Sequence, residues 1–537
     1  MAAGTALIAA MGALYGRWIV DDAAITFDYA RNIALGYGPV AQQYGPVVEG
    51  YSNPTWLMLL IAGWKAGVFD HGLILGIPDY VLYPKVLAVL CCAGILLSIH
   101  ICACEVNRRP WLVTILSGAV LSGTSSFVIW SFSGLENPFY ALLITWLAAI
   151  LLLATVRGTL LHPRVAVITG VLVFVAALTR PDGLIYAAAY PLLVLLSLNR
   201  TKVRASFRGA ALSVLAFALP YGAFLALRYD MFGNLVPNTA IAKAQSLPDL
   251  TALSRVGELV GYAGWLIVVV LAMCVGVTLI GGGRARRALA APLVVLLLAL
   301  LAFAVLAPDW MLYFRFATPV WPTAVLAAVV ALPRAKALLD QRSGLVVGVV
   351  LAFALAIAGQ QQYVAAQTFR AAPTVPLCDV ADVTGRGFNG LATILGMRDA
   401  SLLTPDLGGS SLTSRLRLVD FAGLVDPTIA RLRARGDLAG LRNYILDQVR
   451  PTFMAISLDW ENGSGLLADP RVRRDYEPLM DTGFAPGHFV RKDALSSATQ
   501  LAQLRAYQKV VIPPGGAIEA AAPRRGCGPL VIGQDFR

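Results

Sequence analysis

The chain predicts a polytopic α-helical membrane protein, with about eleven spans in its first 360 residues and a C-terminal extracytoplasmic α/β domain. Three observations carry this. The 537 residues are 58% hydrophobic and 14% charged, whereas soluble domains are about a quarter charged. Apolar stretches of the roughly 17–25 residues a bilayer requires recur up to residue 360. Basic residues cluster in alternate connections between them.

The first span is expected at 2–19. It lacks a basic leader, and Asp21-Asp22 stand where a small-residue cleavage site would be needed. This predicts a retained span rather than a signal peptide, and its shortness suggests a natural start further upstream. Residues 20–81 form a long loop with two juxtamembrane helices, Ala23–Gly36 and Pro54–Phe69. The second opens on a proline suited to a first turn and is interrupted by Lys65, so it is not counted as a span. Further spans are expected at 82–104, 110–131, 138–156, 165–179, 183–198, 209–227, 258–280, 288–306, 315–333 and 343–360. Arg108-Arg109, Arg157 with Arg164, Arg200-Lys202-Arg204-Arg208, Arg284-Arg286-Arg287 and Arg334-Lys336-Arg342 all fall on one side. The positive-inside rule makes that side cytoplasmic. The N-terminus is then inside a plasma membrane, and the first loop and everything after 360 are outside. The net charge of +12 is a topology signal, and no nucleic-acid signature accompanies it.

Residues 361–537 alternate short apolar strands (Ala400–Leu403, Leu416–Val419, Phe453–Ile456) with helical stretches (Pro427–Arg435, Leu438–Val449), the pattern of a small α/β domain. The Ala-Pro-Gly-rich stretch 512–526 reads as loop. Cys378 and Cys527 are the two cysteines of this part, in a compartment that permits disulfides, and a bridge between them is expected. No cysteine or histidine spacing indicates a metal site or a Ser-His-Asp arrangement.

Polar motifs gather next to the spans on the outer side: Asp21-Asp22, Arg31 and Glu49 in the first loop, Ser133-Gly134-Leu135-Glu136-Asn137, Thr179-Arg180-Pro181-Asp182, Asn238-Thr239 with Lys243, and Asp309-Trp310 with Arg315. Carboxylates and cations at one membrane face suit a reaction on a lipid headgroup: cations hold a phosphate and a carboxylate removes a proton. Each residue has a plainer role available. Asp21 and Asp22 could cap a helix beginning at Ala23, Glu136 could cap the span after it, Arg180 could snorkel, and Arg315 could pair with Asp309. Glu49 could serve a turn, and Lys243 could be a solvated charge. A transporter of lipid-linked sugars is the alternative class, but it would place ionisable groups inside the spans.

The run Asp21-Asp22-Ala23, Tyr29-Ala30-Arg31-Asn32, Gly36-Tyr37-Gly38-Pro39-Val40 and Val48-Glu49-Gly50 resembles the GT-C membrane glycosyltransferases. Within them it is most similar to the terminal arabinofuranosyltransferases of the mycobacterial cell wall. Ser133–Glu136, Arg180-Pro181, Asn238–Lys243 and Val419-Asp420 continue the likeness. The resemblance implies a GT-C fold and an inverting transfer of a sugar, D-arabinofuranose, from a polyprenyl-phosphate donor to a cell-envelope glycan acceptor. It implies that Asp21 or Asp22 is the general base, with Asp21 favoured because it directly follows the span. Arg180, Lys243 and Arg315 would neutralise the departing phosphate, and Arg31, Glu49 and Glu136 would position the loop or the sugar. No cofactor is required, and there is room for a divalent cation near the acids.

Overall fold

The structure, a computed structural model, describes all residues but 44, 244–250, 308, 338–339, 481–486, 512–526, 528–529 and 531–537. The loop expected at 512–526 therefore lies outside the described residues. Among the described residues six helices are long and apolar enough to cross a membrane: Asp79–Val106, Asn137–Val156, Arg200–Phe232, Gly283–Val305, Arg315–Ala337 and Arg342–Ala371. Two further pairs pass only if each is taken as one span, Pro110–Gly123 with Ser125–Ser131 and Ser254–Ala263 with Trp265–Ile280, bent by 80° and 99°. Ala2–Ala13, Pro163–Thr179 and Pro181–Leu196 are shorter apolar helices. The chain is a multi-pass membrane protein with six to eight helices that pass as spans among the described residues, and the eleven expected stretches overlap these and the three shorter helices.

Several boundaries differ from expectation. The first helix ends at Ala13 rather than 19, because residues 14–20 turn to meet the chain after the last helix. There Trp18 Nε1 donates to the Thr374 carbonyl at 2.8 Å, and Val20 pairs with Pro376. The stretch 110–131 is broken at Thr124, where side chains replace the lost helical bonds: Gln362 Oε1 accepts from the Ser125 amide at 2.9 Å, and the Tyr262 hydroxyl accepts from the Ser126 amide at 3.1 Å. The last helix continues to Ala371, past the expected end at 360. Where the first helix crosses Pro110–Gly123, a Cβ on Gly118 would stand 2.5 Å from Gly4 Cα, so glycine permits the close approach that stabilises helices in lipid.

The first loop holds the helices Asp21–Ala34 and Pro54–Lys65 and a hairpin of β1 (Leu73–Ile74) and β2 (Ile77–Pro78). After Leu377 a five-stranded sheet forms from β3 (Ser401–Thr404), β4 (Arg417–Asp420), β5 (Phe453–Ile456), β6 (Tyr476–Pro478) and β7 (Gly487–Arg491), ordered β4-β3-β5-β7-β6. β3 is parallel to β4 and β5, and β7 is antiparallel to its neighbours. β3 and β5 are buried along their whole length, as expected for parallel strands covered on both faces. The expected β3 and β4 are each displaced by one residue, and β6 and β7 carry no alternation that marks them in the sequence. Cys378 and Cys527 are bridged, with Cα atoms 4.9 Å apart.

The carboxyl ends of β3 and β4 face the first loop. Beyond β3, the helix Gly408–Thr413 packs on Asp21–Ala34. Beyond β4, the Gly423 and Leu424 carbonyls both accept from Asn238 Nδ2 at 2.8 Å. In open α/β sheets that edge is where ligands bind; here it closes over the membrane helices.

Candidate active site

The helix Asp21–Ala34 starts two residues earlier than expected. Its N-cap is Val20, and no side chain caps it. Its first amides are held by the neighbouring chain: Val20 N donates to Ser133 O at 3.0 Å and Asp21 N to Val375 O at 2.9 Å. Two acids in a first turn suit the helix dipole, but their side chains diverge.

Asp21 is buried at 4% exposure. Its Oδ2 accepts from the Gly408 amide at 3.1 Å and its Oδ1 from the Gly409 amide at 2.6 Å. It thus caps a helix of the α/β region rather than its own. Gly408 is required, since a Cβ there would stand 2.0 Å from the Asp21 carbonyl oxygen. Burial raises its pKa well above the carboxylate range against these two bonds. Each oxygen accepts one backbone amide, which fixes the Asp21 side chain against the Gly408 end of the α/β region.

Asp22 has no hydrogen bond or ion pair among the described residues, and it keeps part of its surface open. Burial raises its pKa, Lys243 and Arg315 lower it, and Asp309 and Glu136 raise it. Lys243 is exposed and likewise has no carboxylate at ion-pair distance among the described residues. Burial and then Arg315 depress its pKa, while Asp22 opposes them. Asp406, just past β3, is exposed yet pushed up to about 6 by burial and by Asp22. Asp22 bears electrostatically on both Lys243 and Asp406, so the three gather, each with open surface, in what we call the cleft, where the membrane helices meet the α/β region.

The other expected site residues are paired. Arg180 Nε donates to Asp182 Oδ1 at 2.9 Å, and its Nη1 lies 3.5 Å from Glu136 Oε1. Its guanidinium lies over Phe316, 4.5 Å from the ring centroid. Glu136 Oε2 accepts from Asn53 Nδ2 at 2.9 Å. Arg315 lies 2.6 Å from Asp309 Oδ2, as the structural alternative held. It follows Tyr313 and Phe314 at φ 62° and 55°, two left-handed residues that cost about 1–2 kcal/mol each and turn Arg315 inward. These groups still act on the cleft: Arg315 and Glu136 bear on Asp22, and Arg180 on Lys243. Arg31 and Glu49 do not join them. Arg31 grips Asp70 at 2.5 and 2.8 Å and donates to the Leu530 carbonyl, tying the first loop to the residues after Cys527. Glu49 pairs with Arg228 at 2.8 Å.

Sequence reasoning missed Asp406 and Arg228. The signal for Asp406 was its place just after the expected strand Ala400–Leu403, in Pro405-Asp406-Leu407-Gly408-Gly409. The signal for Arg228 was a lone cation at the end of a span on the side without basic runs. Among the described residues no three His, Cys, Asp or Glu side chains gather as a metal site.

No family model matches the chain. The terminal β-(1→2)-arabinofuranosyltransferase of Mycobacterium tuberculosis is 26% identical over 253 residues, 44% of this chain and 37% of that protein. The match thus spans little more than a third of that relative. ArnT from Cupriavidus metallidurans, solved bound to undecaprenyl phosphate, superposes with a TM-score of 0.52 at 13% identity, over 92% of this chain and 97% of its own. Arabinofuranosyltransferase AftD from Mycobacteria gives 0.50 at 14% identity, over 91% of this chain and 39% of that one. With the helix order, the acidic first loop and the α/β region closing over it, the chain carries the GT-C fold of membrane glycosyltransferases.

Proposed function

We propose that the chain is an inverting glycosyltransferase that moves a sugar, D-arabinofuranose, from a polyprenyl-phosphate donor to a cell-envelope glycan acceptor on the outer side of the plasma membrane. The observation that carries this is Asp22: a carboxylate with no partner of its own, facing Lys243 and Arg315 in a cleft of this fold. Support for a lipid-phosphate donor comes from ArnT bound to undecaprenyl phosphate, and for arabinose from the named activities of the two mycobacterial relatives.

In this reading the acceptor hydroxyl oxygen attacks the anomeric carbon. The bond from that carbon to the phosphate oxygen breaks with its electron pair staying on phosphate, and the hydroxyl proton passes to Asp22. A raised pKa brings a carboxylate nearer the operating pH and makes it a better base. Lys243 and Arg315 neutralise the phosphate as its charge grows. Arg180, Glu136 and Asp182 hold the cleft wall, Asp21 fixes the helix that presents Asp22, and Arg31 and Glu49 fix the loop. No cofactor is needed for this chemistry, and Asp22 with Asp406 offers carboxylates to a divalent cation, which a chelator titration would reveal.

The test is transfer by the purified protein from synthetic polyprenyl-phosphate donors carrying arabinofuranose, mannose or aminoarabinose to a short arabinan. Arabinose transfer with inversion is expected. Transfer of a different sugar would keep the chemistry and overturn the specificity. Donor translocation without any transfer would favour a transporter.

A further inference from the structure

We propose a second lipid site: a slot that binds one phosphate-bearing membrane lipid, with its phosphate on Arg370 and part of its chain between the first helix, the broken helix and the last helix. A cavity of about 230 Å³ lies there, lined by Tyr15, Ser122, Ser125, Gly359, Tyr363 and Arg370 with Met11, Leu14 and Ala366. The fold creates it. The 80° bend at Thr124 swings the second half of the broken helix away, and the facing helices leave the space open with small residues. A Cβ added at Gly123 or Gly359 would meet nothing within 4 Å.

The slot has a polar end and an apolar body. Arg370 stands in the last turn of Gln341–Ala371, immediately before the segment that pairs with Val20 and Asp21. It therefore lies at the end of the bundle that carries the cleft. Its Nε is buried without a hydrogen-bond partner, and no carboxylate pairs with it among the described residues. Arg370 is half-buried, and in contrast to it the buried Arg31, Arg180, Arg228 and Arg315 of the first loop and cleft each have a carboxylate. An unpaired guanidinium at the membrane boundary, above an apolar slot open beside the exposed Leu14 and Tyr363, matches a phosphate with a hydrocarbon chain beneath it.

The slot is separate from the cleft but coupled to it. Phe369 packs edge-on against Tyr15 at 5.6 Å, Trp18 at 4.9 Å and Tyr313 at 5.5 Å. Trp18 and Tyr313 lead along the chain to Asp22 and Arg315. A lipid in the slot would press on the aromatic cluster that supports both.

The experiment is native mass spectrometry of the delipidated protein in detergent, titrated with phosphatidylglycerol, undecaprenyl phosphate, diacylglycerol or inorganic phosphate. It does not read turnover, so it stands apart from the proposed reaction. One phosphatidylglycerol is expected to remain bound in the wild type. Arg370→Gln and the slot-filling Gly359→Leu should each weaken it about 10-fold or more, while Arg370→Lys and Gly359→Ala retain it. Competition by undecaprenyl phosphate for this copy identifies a polyprenyl occupant; its absence identifies a glycerolipid. Equal binding in Arg370→Gln, equal retention of diacylglycerol, or full displacement by inorganic phosphate overturns the proposal. Should Gly359→Leu fail to fold, Arg370→Gln, checked by its melting temperature, decides alone.

Discussion

Asp21 and Asp22 are neighbours on one helical turn, and their surroundings are opposite. Asp21 is sealed between two backbone amides of the α/β region. Asp22 keeps part of its surface open and feels Lys243 and Arg315 without pairing with either. The same contrast divides the polar groups around them. Arg31, Arg180, Arg228 and Arg315 are buried and spent on carboxylates. Asp22, Lys243 and Asp406 have no ionic partner among the described residues. These three keep open surface yet are desolvated by their surroundings, and in the proposed reading a ligand completes them. In the proposed reading the paired shell is structural and the open centre carries the chemistry.

Breaking the shell should cost stability. The largest effect is expected from Arg180→Ala, which strands Glu136 and Asp182 as buried acids at about 3–5 kcal/mol, read as a large fall in melting temperature. Asp21→Ala should come next. It orphans the Gly408 and Gly409 amides at about 1–3 kcal/mol each, offset in part because Asp21's own burial is costly. Melting measured with and without donor should show that both losses are donor-independent.

Changing the centre should leave melting intact and alter turnover. Lys243→Ala is expected to lower kcat/KM about 10- to 100-fold, the worth of one charge-assisted contact to phosphate, with melting nearly unchanged. The smallest effect is a pH shift. Asp406 is pushed up to about 6 by burial and by the charge of Asp22, and because coupling between two carboxylates is mutual, a charge on Asp406 opposes the ionisation of Asp22 in turn. Asp406→Asn removes that charge, so Asp22 becomes ionised at lower pH. The acid limb of the kcat/KM profile should then move to lower pH, by less than about one unit. Lys243→Ala should move it the other way, because a cation that favours ionised Asp22 is lost. Shifts of the same sign in both variants would remove Asp22 from the titration.

Much of this was legible in the sequence. The polar motifs picked out Asp22, Lys243, Arg315, Glu136 and Arg180, which the structure brings within electrostatic reach of one another. What the sequence withheld is pairing. Whether Arg315 meets Asp309 or a phosphate, and whether Glu49 finds Arg228 at a separation of 179 residues, is decided by tertiary geometry. The choice between Asp21 and Asp22 was hidden for the same reason. Proximity to the span favoured Asp21, but the Gly408-Gly409 amides that claim it lie 387 and 388 residues away. The broken helix was read as one span because Gln362 and Tyr262, which satisfy its freed backbone, belong to distant elements.

The most direct test is a pair of single-turnover rates, Asp22→Asn and Asp21→Asn, measured at saturating polyprenyl-phosphate arabinose and normalised to folded protein. Loss of a positioned base costs roughly 10²–10⁴-fold. Asp22→Asn should therefore lose that much with unchanged melting. Asp21→Asn should lose under about tenfold in rate while melting falls, since its amide cannot accept from both glycines and forfeits about 1–3 kcal/mol. The reverse result, a silent Asp22→Asn beside a stable but inactive Asp21→Asn, would contradict the account.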